Sequence, residues 1–447
     1  MEVVVIGGGA AGMSAASRVK RLHKDWTVRV FEGSGYVSYA PCGLPYFIVG
    51  KVKEPNQLTY YPVEVFREKR GIDVHVNAWV IDVDLDKRIV KVKEGGEVKE
   101  YHWDKLILAT GAKPKDLGVE GENLKGVIKL HTVESGIKAR EELQGAKSVV
   151  VVGAGFTGIE VAGELKEAGY QVHLVVRSRV LRKSFDEEMS ELIENHLKKN
   201  GINLIKGVTV ERIVGKERVE GVELSNGEKV EAQAVVVAVG MEPANELAKK
   251  MGLELGVNGA VRINEYTETS MQDVYAAGDV AESWHVHLGT DYRVWCPFAP
   301  PANKMGLVAG LNASGKRVSF PGSSCTGITK VLGLEIGRTG LTEEEAKKMG
   351  FKVTASMVKA RTRAHYYPGS SFTNVKLVAD SNTGMVLGVQ VVGPEGVKGR
   401  VDAVATLLTR RGTVRDLFFA DISYVPPLAP VWDPLVTAAR LLYKDLR

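Results

Sequence analysis

The chain has 447 residues, 44% of them hydrophobic and 25% charged, and carries a formal net charge of +5. That length suits two or three globular domains, and so small a net charge speaks against a nucleic-acid partner. Three cysteines cannot build a disulfide framework, and no pair of them has metal-binding spacing. No apolar run approaches the length of a membrane span. Met1-Glu2 leads straight into Val3-Val4-Val5-Ile6, without the charged segment and long apolar core of a signal peptide. The expectation is a cytoplasmic protein in a reducing compartment with no membrane partner.

The first element is that apolar run, which reads as a buried strand. Gly7-x-Gly9-x-x-Gly12 follows it and opens a helix. The first glycine permits a tight turn, the second lets backbone approach a pyrophosphate, and the third lets helix pack on strand. Free N–H groups at the helix start favour the phosphates. A strand over 28–31 ends at Glu32, where a carboxylate meets ribose hydroxyls. The whole predicts a dinucleotide site.

Cys42 stands ten residues further on, in Ser38-Tyr39-Ala40-Pro41-Cys42-Gly43. A thiol beside a bound dinucleotide points to redox work. No second cysteine lies four or five residues away, so its partner comes from elsewhere: a substrate sulfur, or the oxygen of a sulfenic acid. A helix starting near Gly43 is expected to lower the thiol pKa. A further buried strand ends in Ala109-Thr110-Gly111 and closes this unit.

The pattern then repeats. Ser148 to Val152 leads into Gly153-Ala154-Gly155-Phe156-Thr157-Gly158. The following strand, Val172 to Val176, ends in Arg177-Ser178-Arg179 instead of an acid. A missing carboxylate and two arginines suit a 2′-phosphate, hence NADPH ahead of NADH without excluding either. The plain alternative is a pair of solvated loop charges. Ala234 to Gly240 closes the second unit. Val274 to Asp279 is a strand ending at Gly278-Asp279, and a helix is expected from about Ala302 to Leu311. From Thr326 onward, strands over 374–379 and 386–392 surround helices over 342–348 and 399–410, an α+β texture without a glycine turn. Cys296 and Cys325 read as small buried hydrophobes.

These pieces together resemble the FAD-dependent pyridine nucleotide–disulfide oxidoreductases over essentially the whole chain. The resemblance rests on the two glycine motifs, on Ala109-Thr110-Gly111, and on Tyr275-Ala276-Ala277-Gly278-Asp279, similar to that family's second FAD motif. It implies an α/β fold with two doubly wound nucleotide-binding domains and a C-terminal α+β dimerisation domain. The expected boundaries are 1–112 with 245–322 for FAD, 113–244 for NAD(P)H and 323–447 for the homodimer contact. FAD is then expected at Gly7, Gly9, Ala10, Ala11, Gly12, Glu32, Ser38 and Cys42, and at Ala109, Thr110, Gly111, Gly278, Asp279 and Ala302. NAD(P)H is expected at Gly153, Gly155, Phe156, Thr157, Gly158, Glu160, Arg177, Arg179 and Gly240.

Within the family, Ser38-x-x-x-Cys42-Gly43 resembles the single-cysteine branch: coenzyme A disulfide reductases, NADH oxidases and peroxidases, and NAD(P)H sulfur reductases. Position 37 is Val where dithiol members have a cysteine, and no histidine follows His365 to serve as their acid/base. The oxidases and peroxidases carry a histidine in the first glycine loop, where this chain has Ala10 and Ala11. The tail Ser423-Tyr424-Val425-Pro426-Pro427 and the doublet Tyr366-Tyr367 are similar to the coenzyme A disulfide reductases. That likeness implies two tyrosines from the partner subunit at the active-site sulfur, Tyr424 and either Tyr367 or Tyr366. It also implies that Arg18, Arg21, Ser38 and Tyr39 take part in holding coenzyme A. The sequence ends at Arg447 and is expected to lack the rhodanese domain of some relatives.

The implied activity is NAD(P)H-dependent reduction of coenzyme A disulfide through a Cys42–S–S–CoA mixed disulfide. CoA persulfide, polysulfide or sulfur are further acceptors. The alternatives are an oxidase forming H2O2 or water through Cys42 sulfenic acid, a flavoprotein reductase for a small redox protein, and a non-catalytic redox sensor.

Overall fold

The computed structural model describes residues 1–445. The last two residues of the expected third domain, 446 and 447, lie outside the described residues. Three five-stranded sheets carry the chain. The first has the spatial order Val274–Ala276, Lys105–Leu108, Glu2–Ile6, Thr27–Phe31, Asp73–His75, all parallel. Its central strand is covered on both faces, which is why it reads as an unbroken apolar run instead of alternating. Val3, Val4 and Val5 are fully buried, each contributing roughly 2 kcal/mol of apolar burial.

The second sheet repeats the arrangement around Ser148–Val152, flanked by Gln171–Val176 on one side and Ala234–Val237 on the other. The third is antiparallel, with the order Gly327–Val331, Leu334–Gly340, Val386–Gly393, Phe372–Asp380, Val353–Arg361. Helices Val397–Leu408 and Pro434–Asp445 pack on it. The expected helix near Ala302 spans Ala299–Ala313, with proline at its start. It packs along helix Ala10–Leu22 so closely that a Cβ on Gly306 would strike the Ala11 backbone.

Two expectations are corrected. Cys296 and Cys325 do not stand as separate buried hydrophobes. They form a disulfide with a Cα–Cα distance of 5.4 Å, inside the range such bonds need. Twenty-nine residues separate them, so only the fold reveals the pairing. The loop before helix Ala299–Ala313 folds back against the segment entering the third sheet. The second correction concerns Cys42 and is described with the site. Among the described residues, no helix is long and apolar enough to cross a membrane.

Candidate active site

A cavity of about 1510 Å³ opens at the carboxyl ends of the first sheet's strands, the usual place for a ligand in a doubly wound sheet. The first glycine turn forms its floor. Gly7 has φ +105°, and a Cβ on Gly12 would run into the Gly7 carbonyl. Gly9 has no protein atom within 4 Å of where a Cβ would lie, which leaves room for a pyrophosphate against the backbone. Ala10 also lines the cavity and offers no acid or base. Ala11 is buried beneath the turn.

Glu32 lines the cavity with both oxygens engaged. It accepts from the Gly8 N–H at 2.7 Å and the Ser34 N–H at 2.8 Å. Across the cavity stand Ala109, Thr110, Gly111, Asp279 and Ala302. Gly278 has φ +80° and supports Asp279 from behind. Asp279 Oδ1 is buried without a hydrogen-bond partner, and burial pushes the carboxyl up to about 6. A buried, unpartnered acceptor facing a cavity fits the ribityl hydroxyls of a flavin. With the open space over Gly9, it shows that these residues suit FAD.

Cys42 sits in the 3-10 turn Pro41–Gly43, followed by the short helix Leu44–Ile48. The backbone of Ser38 positions it: Ser38 has φ +50°, donates its N–H to Gly8 O at 2.8 Å and accepts from Tyr60 N–H at 3.0 Å. The sulfur opens into the cavity. The expected lowering of its pKa by the helix start does not prevail. Surrounding protein, then the Glu160 and Asp279 carboxylates, push the thiol up, and its own backbone N–H only partly offsets them. Burial first, and the two acids after it, outweigh a helix of five residues.

The second glycine turn sits beside this cavity. Thr157 and Glu160 reach into it. Gly153 and Gly240 have φ +100° and +119°, a Cβ on Gly158 would strike the Gly153 carbonyl, and Gly155 faces open space. Phe156 packs edge-on against Phe298, at the start of helix Ala299–Ala313, with ring centroids 6.3 Å apart. Burial pushes Glu160 up as well. Arg177 is exposed. Arg179 is engaged instead: Nη2 donates to Glu344 Oε2 at 2.9 Å and to the Phe185 carbonyl at 3.3 Å.

Arg18, Arg21 and Tyr39 line the outer cavity, and burial raises the Tyr39 phenol. The sequence reading missed Arg70, Tyr60, Tyr61 and Trp79 on the same wall. Arg70 donates to Ser17 Oγ at 3.1 Å and stacks 4.6 Å over the Tyr61 ring. Tyr60 is 81% exposed and Trp79 65%. Exposed aromatics beside a basic cluster were the available signal. The tyrosines of the C-terminal unit lie elsewhere: neither Tyr424, Tyr366 nor Tyr367 lines the cavity of its own chain. Tyr366 and Tyr424 hold their hydroxyls 3.3 Å apart, whereas Tyr367 is half-buried beside them.

Comparison with known proteins matches residues 1–306 to the pyridine nucleotide-disulphide oxidoreductases and residues 327–435 to their dimerisation domain. The chain belongs to that family. Members of this pyridine nucleotide-disulphide oxidoreductase family use FAD and NAD(P)H. The chain is 49% identical to a Pyrococcus horikoshii protein named NAD(P)H coenzyme A polysulfide/persulfide reductase, over 99% of this chain and 98% of that one. A NAD-dependent persulfide reductase from A. fulgidus superposes with a TM-score of 0.95 at 37% identity, over all of this chain and 83% of that one. An engineered water-forming NADPH oxidase, derived from a protein called LbNOX, superposes equally well at 26% identity, over 100% of this chain and 99% of that one.

Proposed function

We propose that this oxidoreductase reduces coenzyme A disulfide and CoA persulfide with NAD(P)H, through a mixed disulfide at Cys42. The observation that carries the reading is the lone free thiol opening into a cavity whose inner end fits a flavin and whose outer wall is basic and aromatic. FAD would rest on Gly7, Gly9 and Gly12, with its hydroxyls at Glu32 and Asp279. When bound, the flavin takes a hydride from NAD(P)H and passes two electrons to the sulfur. Cys42 attacks one sulfur of the substrate disulfide, forms Cys42–S–S–CoA and releases one coenzyme A thiolate. Two electrons and two protons then yield free Cys42 and a second coenzyme A. Arg18, Arg21 and Arg70 would hold the phosphates of coenzyme A, and Tyr60 and Tyr61 offer its adenine a stacking face.

The reading includes a homodimer. Leu428, Val431 and Trp432 are 74%, 70% and 51% exposed in the single chain, an apolar patch of the kind that marks an interface. Tyr424 would reach the partner's cavity with Tyr366, because the hydroxyls of these two are already paired. A cytoplasmic setting belongs to the same reading, since the site needs a supply of reduced dinucleotide.

NADPH is the favoured donor. The engineered oxidase has, eighteen residues after a substituted glycine, Asp-Ala-Met changed to Ala-Arg-Ser, and five residues later a Pro changed to Arg. The same spacing from Gly158 reaches Val176-Arg177-Ser178 here, and then Lys183. A cation and a hydroxyl in place of a carboxylate suit a 2′-phosphate.

The test is anaerobic NADPH oxidation with coenzyme A disulfide, by wild type and Cys42→Ser. Turnover lost in the variant supports the reading. Turnover with O2 and none with disulfide would replace it by an oxidase. Equal activity of both proteins toward a one-electron acceptor would leave a flavoprotein electron carrier.

A further inference from the structure

The segment from Arg177 to Asp186 carries more cations than a 2′-phosphate can use, and they are not equivalent. Arg177, Arg182 and Lys183 are exposed and have no acidic partner within ion-pair range among the described residues. Arg179 is held. Its Nη2 serves Glu344 Oε2 at 2.9 Å and the carbonyls of Arg182 and Phe185 at 3.4 and 3.3 Å. Its Nε is buried without an acceptor, so that edge of the guanidinium does not face solvent.

Almost every other anchor of the segment comes from the third unit. Arg338 Nη1 donates to the Ser184 carbonyl at 3.1 Å. Asp186 accepts the N–H groups of Glu343 and Glu344 at 3.0 and 3.2 Å and the Gln390 amide at 2.6 Å. Lys376, 4% exposed, pairs with Asp186 at 3.0 Å and with Glu343 at 2.7 Å. Two further anchors belong to the second unit: Leu181 donates to Ala154 O at 2.8 Å, and the Val180 N–H donates to Glu194 Oε1 at 3.1 Å. Leu181 is buried with φ +53°, a conformation that persists only where the surroundings enforce it.

We propose that Arg179 is a positioning residue and not a phosphate ligand: its pair with Glu344 fixes the segment so that Arg177 and Lys183 meet the 2′-phosphate. The dimerisation domain thereby shapes the dinucleotide selectivity of a turn in another part of the chain. This rests on the NADPH reading above.

The experiment compares KM and kcat for NADPH and NADH in the holoenzyme across four variants. Arg177→Ala raises KM for NADPH about tenfold. Glu344→Gln leaves every cation in place, breaks the pairs of Glu344 with Arg179 and Lys348, and raises KM for NADPH about threefold at unchanged kcat, the weight of exposed ion pairs. Arg179→Gln does the same. The exchange Arg179→Glu with Glu344→Arg remakes the pair with an acid at 179, and returns KM for NADPH to within about twofold of wild type. If the exchanged protein binds NADPH worse than Arg179→Gln, Arg179 touches the phosphate and the proposal fails. If Glu344→Gln leaves KM for NADPH unmoved, the clamp has no role and the proposal fails. A wild type that prefers NADH would overturn the NADPH reading itself, a result distinct from either.

Discussion

The two glycine turns share a backbone and differ in the charge that closes them. After the first, Glu32 follows the strand and is locked by two N–H groups at 2.7 and 2.8 Å. After the second, Arg177 follows the strand and stands free in solvent. The turn supplies a place for phosphate in both. On the reading proposed above, the residue that ends the next strand selects the sugar: an acid fixed by two N–H groups after the first turn, an exposed cation after the second.

The largest effects come from removing the shared part. Gly12→Ala drives a methyl into the Gly7 carbonyl, costs about 3 kcal/mol and yields protein without flavin absorbance. Gly158→Ala meets the Gly153 carbonyl in the same way, but keeps the flavin and loses reduction by NADPH. Identical losses in both proteins would show that the turns are not separate sites.

Acid separates the cluster behind the second turn from a pair of buried histidines. His285 and His287, which burial pushes down to about 4 and about 3, lie against the third unit, among Glu345, Arg338 and Arg411. Their folded pKa values lie below the unfolded value, so their stabilisation is complete above about pH 6.5 and lost as pH falls. Each histidine costs on the order of 2 kcal/mol by pH 5. Behind the second turn lies the Lys376 cluster, whose carboxylates Asp186 and Glu343 are held below their usual range. They stay charged over that window and give way only as pH falls below the ordinary carboxylate values. Melting temperature measured from pH 7 to 5 should therefore fall in wild type and fall less in His287→Phe. An equal decline in both would assign the acid sensitivity elsewhere.

The residues that end the strands explain what the sequence discloses. Strand, glycine turn and helix are local, so Gly7 to Gly12, Gly153 to Gly158 and the acid or arginine after each second strand are legible from spacing. Helix Glu343–Lys348 is legible for the same reason, since Thr342 and Glu345 form a capping box. The Cys296–Cys325 bond, the Arg179–Glu344 pair and the wall formed by Arg70 and Trp79 join residues far apart in the chain. No local pattern encodes them. The Cys42 pKa failed for a related reason: the helix start is local and visible, but the burial of the thiol and the approach of Glu160 and Asp279 come from distant segments.

Two smaller changes sharpen the contrast between locked acid and free cation. Glu32→Gln keeps one good acceptor and weakens FAD binding roughly fivefold by flavin fluorescence titration. No change would mean that Glu32 only braces the turn. Glu160→Gln removes one of the charges that raise Cys42 and moves the pH midpoint of Cys42 alkylation in the apoprotein downward. An unmoved midpoint would leave burial and Asp279 as the causes.

The Cys296–Cys325 bond has a practical corollary. It leaves Cys42 as the one free cysteine of the chain, so a thiol reagent applied to the native protein titrates a single sulfur. The equivalents it finds measure directly what fraction of the Cys42 thiols is open and what fraction is blocked.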